Sequence, residues 1–258
     1  MADVAPMPRA ALITGAAQRI GRAIALGLAE DGWAVALHFR ASRAPAEALV
    51  GEIARAGGRA VALEADLLDE GAVAELVPRA ATALGPLGCL VNNAAAFDHD
   101  TAATVSRASW DAHLEINLRA PFVLMQGFAA QLPASASGAI INMLDQRVWN
   151  LTPYFVSYTV SKAGLWTLTQ TMALALAPRI RVNGIGPGPT LPSARQSAAQ
   201  FARQSASVPL RRGSSPDEIA AAVRFILAAP ALTGQMIALD GGQHLGWAQE
   251  AGRLPPEE

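Results

Sequence analysis

Tyr158 and Lys162 stand four residues apart in a stretch with helical spacing, so both side chains project from one helix face. An isolated tyrosine titrates near ~10 and is a poor proton shuttle at neutrality. A lysine ammonium beside it favours the tyrosinate and brings that titration toward working pH. On a bare helix such a pair is by default a surface contact. Asn117 upstream, on an earlier helical stretch, and the pair's place after a fifth apolar strand favour a proton-transfer site. A second chemical signal is the run Thr14-Gly15-Ala16-Ala17-Gln18-Arg19-Ile20-Gly21-Arg22, between the first strand and the first helix. A glycine turn there lets backbone approach a pyrophosphate and points helix N–H groups at it. A tight turn with no ligand is the alternative, and the strand-to-helix context favours a nucleotide.

The end of the second strand bears on the type of nucleotide. An acid there accepts from the 2′-hydroxyl of NAD, whereas a basic group meets the 2′-phosphate of NADP. The chain reads Leu37-His38-Phe39-Arg40-Ala41-Ser42-Arg43, with no acid between Asp31 and Glu47. Arg40, helped by Ser42, Arg43 or Arg19, is the expected phosphate partner. A solvated surface role is the competing reading, stronger for Arg43 than for Arg40. Asp66, just after the third strand, is placed either to meet an adenine edge or to start a helix.

These residues need a scaffold, and the chain supplies an alternating one. Short apolar runs at Ala10–Thr14, Ala34–Phe39, Ala60–Glu64, Cys89–Asn92, Ala139–Met143, Arg181–Ile185 and Met236–Leu239 predict strands. Helical spacing occupies Arg22–Glu30, Ala46–Ala56, Gly71–Leu84, Trp110–Gln131, Tyr158–Leu176 and Asp217–Ala228. Apolar strands separated by helices predict an α/β fold, a parallel sheet of seven strands flanked by helices on both faces. Ser215-Pro216-Asp217-Glu218 predicts a capped helix start.

Composition removes other classes. The chain has 258 residues, 20 basic and 21 acidic side chains and a net charge of -1, without a basic block, so nucleic acid is not an expected partner. No run reaches the ~18 apolar residues of a membrane span, no secretory signal is expected, and the anticipated location is cytoplasmic. Cys89, the single cysteine, excludes an internal disulfide and a cysteine-built zinc site, and the four scattered histidines make no metal site. Nothing divides residues 1–258, which predicts one domain. Two regions escape the alternation, Gly188–Arg212 and the tail from Gly246, whose end is expected to be disordered.

The Thr14–Gly21 turn, Asn92-Asn93-Ala94, Asn117, Tyr158 with Lys162, and Gly186-Pro187-Gly188 together resemble the short-chain dehydrogenase/reductase family, in its order and over nearly the whole chain. The resemblance implies a Rossmann-type, doubly wound fold and hydride transfer with Tyr158 as acid/base. It makes Lys162 a ribose ligand that lowers the tyrosine pKa, and Asn117 the holder of a relay water. It places NADPH or NADP on Gly15, Arg19, Ile20, Gly21, His38, Phe39, Arg40 and Ser42. Asp66, Leu67, Asn93, Ala94, Tyr158, Lys162, Pro187 and Gly188 complete that implied cofactor site. A homo-oligomer, as a tetramer, is implied in the same way.

One departure is informative. The family normally carries a serine thirteen residues before its tyrosine, and this chain has Asp145 there. An anionic carboxylate opposes a developing oxyanion. It suits a substrate offering N–H donors, such as the amino-pyrimidine edge of a pterin, or a C=N bond protonated at nitrogen. With Gln18-Arg19 in the turn and Phe97 after Asn93-Ala94-Ala95-Ala96, the chain resembles the pteridine reductase branch of the family. That implies that Asp145 and Tyr158 form the proton-donating pair, that Arg19 touches cofactor phosphate and substrate, and that Phe97 stacks on the pterin. For Phe97, a plug in the core is the other reading. The expected activity is NADPH-dependent reduction of dihydropterins, dihydrofolate included, with 188–212 as substrate lid. An ordinary carbonyl reductase of keto-acyl, sugar or steroid substrates, or a non-catalytic NADP-binding regulator, is the alternative.

Overall fold

Leu12 and Ile13 are adjacent and fully buried, yet they enter different apolar layers, because successive strand residues face opposite sides of a sheet. The same split separates Leu90 from Val91 and Ile140 from Ile141. Strands buried on both faces require a cover on both, and helices supply it. In the computed structural model, which describes residues 5–193 and 195–246, the strands are β1 (Ala10–Ile13), β2 (Ala34–Phe39), β3 (Ala60–Glu64), β4 (Cys89–Asn92), β5 (Gly138–Met143), β6 (Ile180–Pro187) and β7 (Met236–Leu239). All pair in parallel, in the order β3-β2-β1-β4-β5-β6-β7. Chain direction across the sheet reverses between β1 and β4, which opens a crevice at their carboxyl ends.

The helices are α1 (Arg19–Glu30), α2 (Arg43–Arg55), α3 (Glu70–Leu84), α4 (Arg107–Leu114), α5 (Ala120–Gln131), α6 (Val156–Leu176), α7 (Ala198–Ser207) and α8 (Pro216–Ala228). Ile24 and Leu28 of α1, Leu49 and Ile53 of α2, and Ile219 and Val223 of α8 fill one layer. Leu76 and Val77 of α3, Leu124 and Phe128 of α5, and Leu165 and Met172 of α6 fill the other. This is the doubly wound Rossmann-type arrangement. The capping box at Ser215 is formed, with Glu218 N donating to Ser215 Oγ at 3.1 Å and Ser215 N to Glu218 Oε2 at 2.7 Å.

Two expectations need correction. The stretch Trp110–Gln131 is not one regular helix: α4 passes into a π-helical turn, Glu115–Arg119, before α5. The insertion turns Asn117 inward, where its side chain bonds to Ala96 and Ser161. The region 188–212 also contains α7, which starts with a capping box between Ser197 and Gln200. That Ser-x-x-Gln signature was readable in the sequence. The segment 247–258, most of the tail expected to be disordered, lies outside the described residues.

Candidate active site

The glycine turn sits at the crevice. Gly15 adopts φ +62°, and a Cβ on Gly21 would collide with the Gly15 carbonyl oxygen, so both positions need glycine for the backbone to close this tightly. A cavity of about 620 Å³ lies over the turn, lined by Gly15, Arg19, Ile20, Gly21, Arg40, Ser42, Asp66, Leu67, Asn93 and Ala94 among others. Asn93 ties the floor together: its Nδ2 donates to Thr14 O at 2.8 Å and to Gly15 O at 3.2 Å. An elongated cradle of backbone N–H groups at a helix start fits a dinucleotide.

His38 and Phe39 also line this cavity, but both polar atoms of the His38 ring serve the protein. Gly15 N donates to Nδ1 at 3.1 Å, and Nε2 lies 3.2 Å from Ala65 O. Burial pushes the ring from 6.5 down to about 4, which keeps it neutral with its proton on Nε2. His38 thereby fixes the glycine turn to the ends of β2 and β3. Arg40 is exposed and makes no hydrogen bond or ion pair among the described residues. Two of its suggested helpers, Arg43 and Arg19, are engaged elsewhere. Arg43 pairs with Glu64 and, at 3.6 Å, with Glu47. Arg19 reaches away to the carbonyls of Pro192 at 3.0 Å and Leu191 at 3.3 Å. Asp66 accepts from Leu68 N at 3.0 Å. The helix-start role belongs instead to Asp69, which caps α3.

The chemical groups meet at the carboxyl ends of β5 and β6. Tyr158 Oη donates to Asp145 Oδ2 at 2.9 Å, and Arg147 N donates to Asp145 Oδ1 at 2.8 Å. Lys162 is buried, with Nζ donating to Met143 O at 2.7 Å and standing 5.8 Å from the Tyr158 ring centre. Burial pushes Lys162 from 10.5 down to about 8, and the charge of Asp145 opposes the fall. Asp145, Tyr158, Phe97, Pro187 and Gly188 line a smaller cavity of about 150 Å³, closed on the far side by Leu191, Gln196 and Phe201 of the 188–212 segment.

Phe97 lies parallel to Phe155 with centroids 4.6 Å apart, and meets Tyr158 edge-on at the same distance. It is half-buried, packed like a plug on one side and facing the cavity on another. Asn117 spends its side chain on Ala96 N (2.8 Å), Ala96 O (2.9 Å) and Ser161 Oγ (3.0 Å). It thus fastens the segment before Phe97 to α6.

Several site residues escaped the sequence reading. Arg147, buried 4.8 Å from the Phe155 ring centre and 3.7 Å from Asp145 Oδ2, carries no motif. Asp100, Ser157 and His113 form a buried chain beside Tyr158. Asp98 N donates to His113 Nε2 at 3.0 Å, so the ring proton is on Nδ1 and points to Ser157 Oγ at 2.7 Å. The Ser157 hydroxyl donates to Asp100. Phe155, at φ +58°, has no capping side chain of its own, and Asp100 Oδ1 accepts from Ser157 N at 3.3 Å instead. A local motif could not show this, since the cap comes from more than fifty residues upstream.

The fold has close parallels. The family described as Enoyl-(Acyl carrier protein) reductase matches residues 15–244. FolM alternative dihydrofolate reductase 1 of Brucella canis, solved with NADP, is 45% identical, with a TM-score of 0.91, over 96% of this chain and 99% of that one. The counterpart from Brucella suis, also with NADP, is 46% identical with the same TM-score and the same coverage. The 3-oxoacyl-[acyl-carrier-protein] reductase FabG of Staphylococcus epidermidis is 33% identical over 93% of this chain and its own full length. No helix among the described residues is long and apolar enough to cross a membrane. With the matched region running from the glycine turn through the Tyr158 and Lys162 pair to the end of the sheet, the chain belongs to the short-chain dehydrogenase/reductase family of oxidoreductases.

Proposed function

We propose that this chain is an NADPH-dependent reductase of dihydropterins, with dihydrofolate as a related substrate. The observation that carries the reading is the 2.9 Å hydrogen bond from Tyr158 to Asp145 at the mouth of the smaller cavity. A carboxylate at this point accepts N–H bonds and passes a proton to a ring nitrogen, and it serves a ketone poorly. The 45% identity to a dihydrofolate reductase solved with NADP supports it.

The Gly15–Gly21 cradle, Asn93, Ala94, Asp66 and Leu67 would hold the cofactor, and Arg40 with Ser42 would meet its 2′-phosphate. When bound, it supplies the hydride. Tyr158 gives its proton along the hydrogen bond to Asp145, and Asp145 hands a proton to the substrate nitrogen. The Lys162 ammonium offsets the charge left on Tyr158, and the Asn117 main chain is left to hold a relay water. Arg19 joins the phosphate turn to the lid through Leu191 and Pro192. The chain works as a homo-oligomer in the cytoplasm.

A keto-acyl reductase is the second reading, favoured by the 33% identity to FabG. Purified protein with NADPH and separate additions of dihydrobiopterin, dihydrofolate and acetoacetyl thioester distinguishes the two by loss of NADPH absorbance. Turnover of the thioester alone would overturn the pteridine reading.

A further inference from the structure

The smaller cavity contains a polar group that this chemistry leaves unused. Gln146 follows Asp145 on a short 3₁₀ turn, Gln146–Val148, and lines the same cavity. Gln146 is 4% exposed, and its Oε1 is buried with no hydrogen-bond donor among the described residues. A buried amide oxygen left unpaired is costly, and folded chains rarely keep one without a use. Ser193 Oγ, also on this cavity, is unpaired in the same way. Two residues that line one cavity, each with an orphaned polar atom, point to a ligand that bonds to them.

The chemistry of Gln146 narrows that ligand. A carboxamide offers an acceptor and donors side by side in one plane. Its complement is a planar group with an N–H next to a C=O or C=N, as in a cyclic amide. An acyl ketone has no N–H to give. The ring of Phe97 on the same cavity adds a flat apolar wall that suits a heterocycle.

We infer that Gln146 is a substrate-binding residue that reads the cyclic-amide edge of a heterocyclic substrate and so selects it over acyl ketones. This deepens the pteridine reading and rests on it. Asp145 then handles the proton, and Gln146 fixes the ring's orientation.

Gln146→Leu removes the polar end with little change in volume. With dihydrobiopterin as probe, KM is expected to rise ~10-fold or more, as a site built to bond N–H groups loses a partner. The value of kcat should stay within ~3-fold and NADPH affinity should not move, because neither the proton pair nor the cofactor cradle is touched. The thermal midpoint should equal or exceed that of the wild type, since an unpaired polar atom has gone. Unchanged KM overturns the inference, whether or not stability falls. Gln146→Met carries the same readouts if the leucine variant does not fold, and failure of both to fold assigns Gln146 to the scaffold and overturns it. A wild type inactive on both dihydrobiopterin and dihydrofolate would instead remove the pteridine reading itself, before any Gln146 variant is compared.

Discussion

Tyr158 donates its hydroxyl hydrogen to Asp145 Oδ2 at 2.9 Å, although thirteen residues separate them. The strand end of β5 and the first turn of α6 bring the two together. Family members with serine at this position donate a hydrogen bond to the substrate, whereas Asp145 accepts one from the tyrosine. That reversal of donor and acceptor underlies the first prediction. Asp145→Ser is expected to lower dihydropterin turnover at least ~10²-fold, the scale of a positioned acid–base group, while weak ketone reduction emerges. Tyr158→Phe should depress kcat similarly and leave NADPH binding nearly unchanged. Steady-state kinetics on both substrate classes, with a cofactor titration, check the pattern. Ketone turnover merely accelerated in Asp145→Ser, from a wild type without pterin activity, would favour the carbonyl reductase.

Arg40 stands exposed, without a protein partner among the described residues, at the end of β2. A charge-assisted contact to a 2′-phosphate contributes ~1.5–3 kcal/mol, so Arg40→Asp should shift the NADPH-to-NADH affinity ratio by an order of magnitude or more. Fluorescence titration with both cofactors measures it. Equal wild-type affinity for the two would remove the phosphate role.

His38 couples acid stability to the cofactor turn. Its folded pKa of about 4 lies below the ordinary 6.5, because burial disfavours the imidazolium. Between those values the unfolded chain binds more protons than the folded one, so stability is present above 6.5 and falls as pH drops toward 4. The loss is about 3 kcal/mol across the window. Protonation on Nδ1 would also set two donors, the ring N–H and Gly15 N–H, against each other. NADPH affinity is therefore expected to weaken over the same range. Denaturant melts at pH 4.5 and 7, compared with His38→Asn, test this; an equal acid loss in the variant would clear His38.

Phe97 is expected to matter for both packing and substrate. Removing a half-buried ring stacked on Phe155 should cost about 2 kcal/mol, less than a fully buried phenylalanine. Loss of stacking on the pterin, worth ~1–3 kcal/mol, should raise the substrate KM as well. Thermal melts and KM measured on Phe97→Ala separate the two contributions. Lower stability with unaltered kinetics would leave only the plug.

Local pattern alone carried much of this protein. Seven apolar runs and the helical periods between them led to a parallel sheet with two helical layers, because a strand buried on both faces can be satisfied in few ways. Gly15 and Gly21 are legible as a tight strand-to-helix turn, and Tyr158 with Lys162 as a helix-face pair, since each depends on neighbours within a few residues. The same local logic contains the Ser197 capping box that opens α7. Only tertiary structure decided what long-range contacts do with the rest. Arg43 and Arg19 are basic residues near the glycine turn, yet Glu64 and the carbonyls of Leu191 and Pro192 occupy them. His38 lines the larger cavity and also braces the turn, because Gly15 N and Ala65 O converge on its two nitrogens. Asn117 reached Ala96 and Ser161 through a π-helical turn without a sequence signature. Gln146, Arg147 and the Asp100–Ser157–His113 chain carry no motif at all. Their roles come from burial and from partners up to 57 residues away, and a hydrogen bond across that distance exists only after the chain has folded.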